Sequence, residues 1–136
     1  MRLLLDTNVM LAIVEGQTSR LGPAMTDVLS APDAELNVSV ASIWEAATKS
    51  GLGKLQIRIE PAKLARFLTS EAISVLPIEA GHVVASYEPA PLTRDPFDRL
   101  PLSVCRAEGL TLATLDRALV DHPFALGGTA PRPEPT

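Results

Sequence analysis

Cysteine, histidine, aromatic residues and basic excess are all scarce in this chain, and each scarcity removes a class of function. A single cysteine, Cys105, forms no internal disulfide, and two histidines do not supply a Cys/His set for zinc. A metal held by this chain would therefore take mostly oxygen ligands. Aromatics are 4% of the residues, so the core must be aliphatic. Long apolar runs are missing as well: the opening MRLLLD is cut by an acid at position 6, too soon for a signal h-region or a membrane span. That start points to a cytoplasmic protein with no membrane association. The net charge of −4 and pI near 5.1 argue against coating nucleic acid through a broad basic surface. A nucleic-acid enzyme stays open, because bound cations offset clustered carboxylates and local Arg or Lys groups hold a backbone phosphate.

What is present is an ordinary globular composition, 46% apolar and 21% charged over 136 residues. The length suits one domain that buries roughly two-thirds of its unfolded surface. Residues 2–5 (RLLL) read as a short buried strand, followed by Val9, Met10, Ile13 and Val14 at helical spacing. A break at 16–19 precedes a helix over about 20–30, and Ala31-Pro32-Asp33 marks a turn before a strand at 36–38. From Val40 the residues Ile43, Trp44 and Ala47 define an amphipathic helix to about Gly51, with Glu45 beside the apolar stripe. Leu55, Ile57 and Ile59 alternate and suggest an extended segment over 52–61; Pro61 then opens a helix to about Ser70. Further expectations are a strand at 73–78, a helix over 79–87, a proline-rich loop, a helix from Pro96 or Phe97 to Glu108 stopped by Gly109, and a strand at 110–114. A short helix after Asp116 and an edge strand at 124–126 complete the pattern, and the Pro-rich 129–136 reads as a mobile tail beyond a domain of 1–128.

Strands that alternate with helices and read as continuous aliphatic runs indicate an α/β fold with a parallel sheet covered on both faces. Ligands in such folds gather at the carboxyl ends of the strands. Asp6 and Asp116 follow strands directly, and Glu45 and Asp98 reach the same rim from adjoining helix starts. Each has a structural explanation, since Asp is a favoured helix N-cap. Ser42-Ile-Trp-Glu45 also fits the capping-box pattern, although a stripe starting at Val40 puts the helix start before Ser42. Asp95-Pro96 is the strongest capping case, so Asp98 is preferred over Asp95 as a ligand, with Asp95 left a supporting role. The conjunction favours chemistry: three or four carboxylates suffice for one or two Mg²⁺ or Mn²⁺ ions, and paired ions about 4 Å apart activate water and stabilise the leaving oxygen of a phosphodiester.

Asn8, Thr7 and Thr114 flank the acids and are candidates to orient a carboxylate; caps and turns use the same residues. Arg94, Arg99 and Arg117 are candidate phosphate contacts or plain surface arginines. Lys49, four residues after Glu45, reads as a helix ion-pair partner. His82 and His122 have no partner in their local patterns and read as packed or solvated, and Trp44 and Cys105 as core.

The ordered set LLLDTNVML, SVASIWEAATKSGLGKL, LTRDPFDRL and AEGLTLATLDRAL resembles the PIN-domain family, and within it the VapC-type ribonuclease toxins of bacterial toxin–antitoxin pairs. The resemblance spans nearly everything but the tail. It implies a three-layer α/β/α sandwich with about five parallel strands, and it matches Asp6, Glu45, Asp98 and Asp116 to the four family acids, with Thr114 as the small hydroxyl residue beside the last. It further implies Mg²⁺- or Mn²⁺-dependent RNA cleavage, a small antitoxin as inhibitor, and a homodimer. Two residues depart from the pattern: Pro101, where an aliphatic residue is usual, and Thr93, where His is frequent. Pro101 raises the question of a shifted helix start, although Pro in a first turn leaves Asp98 usable. A non-catalytic partner-binding module on the same fold is the alternative. A phosphatase with Asp6 as nucleophile is weaker, because Asn8 stands where that chemistry wants a second Asp.

Overall fold

The computed structural model describes residues 1–91 and 93–128, and the 129–136 tail lies outside the described residues. Four strands, β1 (Arg2–Leu5), β2 (Glu35–Ser39), β3 (Ser74–Leu76) and β4 (Thr111–Ala113), form one sheet in the order β3-β2-β1-β4. All three pairings are parallel, with Leu4 opposite both Asn37 and Leu112. Six helices connect or flank them: α1 (Thr7–Val14), α2 (Gly22–Ser30), α3 (Val40–Gly51), α4 (Leu64–Ser70), α5 (Ala80–Val84) and α6 (Pro96–Glu108).

Strand side chains alternate between faces, and β1 separates the interior into two cores accordingly. Leu5 joins Val38 and Ala113 in a cluster with Val9, Met10, Met25, Ala46, Leu64 and Leu68 from α1 to α4. Leu4 and Leu112 join the opposite cluster with Leu102, Val104 and Cys105 of α6 and with Phe124. The result is three layers, α/β/α. Among the described residues no helix is long and apolar enough to cross a membrane.

Several expected elements take a different form. The segment after α3 is not a strand, because the Arg58 N–H donates to a Glu15 carboxylate oxygen (2.9 Å) instead of a sheet edge. Its alternating Leu55, Ile57 and Ile59 pack part-buried on the first core. The strand expected at 124–126 reduces to one parallel bridge, Leu112 to Ala125, held by Leu112 N–H to Phe124 C=O (2.7 Å) and Leu126 N–H to Leu112 C=O (2.9 Å). The sheet therefore has four strands and a bridge where about five strands were expected. The chain after Asp116 is a turn, not a helix, with Val120 N–H bonded to Asp116 C=O (2.9 Å). The helix expected over 79–87 contracts to α5. At α6 the start is unshifted: Pro96 occupies the first position, and Pro101 lies inside the helix, beyond its first turn. Gly109 ends that helix at φ 67°, a left-handed conformation suited to glycine.

The face of α3 is rotated from the apolar stripe read in the sequence. Ala41, Ser42, Glu45 and Ala46 are the buried residues, while Trp44 is 62% exposed and is not core. Small side chains at 41, 42 and 46 let α3 approach its neighbours closely, which the bulk of Val40 and Trp44 would prevent. Trp44 instead packs edge-on against Phe97 of α6, ring centroids 5.1 Å apart. This rotation carries Glu45 inward.

Candidate active site

Asp6, Glu45, Asp98 and Asp116 line a single pocket, together with Thr7, Asn8, Phe97, Pro101 and Leu119. Its free volume is about 20 Å³, room for one ion or one water. Asp6 arrives directly from the end of β1 and Asp116 from the turn after β4, while Glu45 comes from the inward face of α3 and Asp98 from the first turn of α6.

Neutral donors orient three of the four carboxylates. Asp6 caps α1, its Oδ1 accepting the Val9 N–H at 2.8 Å, and its Oδ2 accepts the Thr114 hydroxyl. Thr114 Oγ1 in turn accepts the Asp116 N–H (3.0 Å), so one hydroxyl ties the two strand-end acids together. Asp116 Oδ1 accepts the Ala118 N–H (2.9 Å). Asp98 takes a hydrogen bond from Thr93, which also accepts the Asp95 N–H at 3.1 Å. Glu45 differs: Oε1 accepts from Thr7 Oγ1 (2.6 Å) and Oε2 from the Lys49 ammonium.

Gathering acids out of water raises their proton affinity. Burial pushes the Asp6 carboxyl up to about 6, and Asp116 and Asp98 reinforce the shift, against the lowering effects of Thr114 and Val9. Burial also raises Asp98, with repulsion from Asp116, Asp95 and Glu45. Lys49 is raised chiefly by its hydrogen bond to Glu45, with further attraction to Asp95 and Asp98. Such a set of oxygen donors, held against their own repulsion, has the chemistry of a site for a hard divalent cation.

The supporting residues divide clearly. Asn8 and Thr114 stand where the sequence put them, beside the acids. Asp95 is exposed, accepts the Phe97 N–H (2.9 Å) as the cap of α6, and is absent from the pocket wall. Ser39 caps α3 (Ala41 N–H, 3.1 Å), which removes the capping-box role for Ser42; the Ser42 hydroxyl instead donates to Thr7 Oγ1 (3.1 Å), whose own proton goes to Glu45. Ser42 and Thr93 were not singled out as site residues. Ser42 precedes Glu45 by three residues, a spacing that puts both on one helix face; Thr93 carries no comparable signal. Arg99 is engaged structurally, by Thr93 C=O (3.1 Å), by Tyr87 Oη (2.9 Å) and over the Tyr87 ring. Arg94 and Arg117 are exposed.

Both histidines are packed and satisfied. His122 Nδ1 accepts the Phe124 N–H (3.1 Å), and its Nε2 meets the Tyr87 and Pro89 carbonyls (3.0 and 2.8 Å). His82 belongs to a second group with Glu79 and Glu108, whose potential ligand atoms lie within 4.8 Å of one another. Its Nδ1 accepts the Glu79 N–H (3.1 Å), so the ring proton sits on Nε2 and is directed to Glu108 Oε1 (2.7 Å). A metal at Nε2 would leave the ring without a proton unless the Nδ1 bond broke. The group is therefore a helix staple that joins α5 to α6.

Comparison with known proteins accords with this architecture. A crystal structure described as VapBC2 from Rickettsia felis bound to a DNA fragment from their promoter contains a similar fold. That chain is 20% identical, with a TM-score of 0.61 over 93% of this chain and 96% of the other. No curated protein matches the sequence. The family model described as PIN domain matches residues 3–125, and the chain belongs to the PIN-domain family.

Proposed function

We propose that this protein is an endoribonuclease dependent on Mg²⁺ or Mn²⁺, acting as the toxin of a toxin–antitoxin pair. PIN domains are generally nucleases that use divalent metals. The observation that carries the proposal is the convergence of Asp6, Glu45, Asp98 and Asp116 on one small pocket at the carboxyl end of the sheet. In this reading all four are metal ligands, Asn8 and Thr114 support them, and Asp95 serves as a helix cap.

A divalent ion there would supply Lewis-acid stabilisation of the phosphodiester charge and acidify the attacking water. The chain's own groups do the positioning. Thr114 and the Val9 N–H fix the two Asp6 oxygens, and Thr7 fixes Glu45. Phe97, Pro101 and Leu119 supply the apolar part of the pocket wall. Such a reaction leaves a 5′-phosphate and a 3′-hydroxyl.

The Rickettsia felis neighbour is a VapBC pair, which supports a small antitoxin as this chain's partner; we extend the reading to a homodimer and a cytoplasmic location. The 1–128 segment is the nuclease domain in this view. The test is to incubate purified, antitoxin-free protein with single-stranded and structured RNA and Mg²⁺ or Mn²⁺. Cleavage is expected, with loss in EDTA and in Asp6→Asn. Intact RNA in every arm, or equal cleavage by Asp6→Asn, refutes the proposal.

A further inference from the structure

Glu45 enters the acid pocket already paired, and it differs in this from the other three carboxylates. Among the described residues, Asp6, Asp98 and Asp116 form no ion pair and are held by neutral donors. Glu45 accepts the Lys49 ammonium at Oε2, and its second oxygen is taken by the Thr7 hydroxyl. The two sides of this pair differ in burial: the Glu45 side chain is 10% exposed and that of Lys49 is 45% exposed, so the ammonium meets Glu45 from the solvent side, while Glu45 and not Lys49 lines the pocket. Lys49 is also drawn toward Asp98, across the pocket from its own helix. The free volume among the four acids is about 20 Å³, room for one ion.

We propose that Lys49 is a resident cation at the edge of the acid pocket, holding Glu45 so that one divalent ion binds, on the side of Asp6, Asp98 and Asp116. This inference rests on the metal-dependent reading of the pocket and refines it: with Lys49 on Glu45 the ion is held by Asp6, Asp98 and Asp116, and Glu45 becomes a ligand when the ammonium leaves it. The physical ground is competition. A fixed ammonium and a divalent ion that share one carboxylate repel each other, and the ammonium is tethered at high local concentration by a four-residue helical spacing. Removing it leaves Glu45 bare, with free lone pairs toward a pocket of net negative charge.

Mn²⁺ binding, read by the loss of the free-ion electron paramagnetic resonance signal, tests this without reference to activity. Wild type is expected to bind one Mn²⁺ per chain. Lys49→Met is expected to bind two, or to bind the first at least fivefold more tightly. Lys49→Arg should retain the wild-type stoichiometry, and Glu45→Gln combined with Lys49→Met should return it to one. An i,i+4 pair contributes little to helix stability, so Lys49→Met should fold, as circular dichroism will report. Unchanged count and affinity in Lys49→Met, or two ions already in wild type, overturns the assignment of Lys49. A wild type that binds no Mn²⁺ overturns the metal reading of the pocket itself, and this inference with it.

Discussion

Replacing Asp6 by Asn should stabilise the metal-free protein while abolishing cleavage. The Asp6 carboxyl is pushed up to about 6 by burial and by the neighbouring Asp116 and Asp98, against about 3.9 for a free Asp. At about 1.4 kcal/mol for each tenfold change in proton affinity, its ionised form destabilises the fold at pH 7.5 by about 3 kcal/mol. Asn has no charge to desolvate and keeps the cap on the Val9 N–H through its own Oδ1. The charge-assisted bond that it loses from Thr114 is already counted in that figure, because Thr114 acts to lower the Asp6 proton affinity. The expected net gain at pH 7.5 is thus about 3 kcal/mol, or roughly 10 °C in Tm for a chain of this size.

The sign of the pH dependence makes this prediction sharp. A carboxyl whose folded pKa lies above its unfolded one makes the folded state the better proton binder between the two values, so stability rises as pH falls. With values near 6 and 3.9, the wild type regains about 1.4 kcal/mol between pH 7.5 and pH 5, a gain Asp6→Asn lacks. Urea denaturation of both proteins in EDTA at the two pH values measures the gap. It should be clear at pH 7.5 and about half as large at pH 5. An Asp6→Asn protein no more stable than wild type at pH 7.5, or a gap indifferent to pH, would show that the acids do not strain this fold.

Thr114→Val removes the hydroxyl that bridges Asp6 and the Asp116 N–H. Because Thr114 lowers the Asp6 proton affinity, the pH midpoint of Mn²⁺ binding should move upward, and titration of binding between pH 5 and 8 will detect it. An unmoved midpoint would count against the bridge. Asp95→Ala should lower stability by about 1 kcal/mol through loss of the α6 cap, yet leave the Mn²⁺ count unchanged. A lost ion would make Asp95 a ligand. Phe124→Ala, at a fully buried core position, should cost about 3–5 kcal/mol by denaturant melt; a loss below 1 kcal/mol would mean that the second core is loosely packed.

The sheet is readable where its strands, β1 and β4, are buried on both faces, so RLLL and LTLAT appear as aliphatic runs. Helices with clear punctuation were equally legible: Asp95-Pro96 opens α6 and Gly109 closes it. Alternation alone misled at Leu55, Ile57 and Ile59. That segment has period-two burial, but a side chain, Glu15, supplies the hydrogen-bond partner that a strand would take from a neighbour. Local pattern reports burial; it does not report what completes the backbone.

The site divides along the same line. Asp6 and Asp116 could be placed from sequence because strand ends in a parallel sheet converge by topology, whatever the side chains. Glu45 could not be placed as firmly, because helix orientation depends on which face packs, and the largest apolar residues suggested the wrong one. The small residues Ala41, Ser42 and Ala46 set the packed face, so Trp44 stays exposed and Glu45 turns inward to meet Thr7 and line the pocket with Asp6. A polar residue on the buried face of a helix is costly unless something receives it. Here Thr7 and Lys49 receive Glu45, while burial pushes the Asp6 carboxyl up to about 6. The strain therefore concentrates on the acids that lack a cation, which is where a divalent ion would relieve it most.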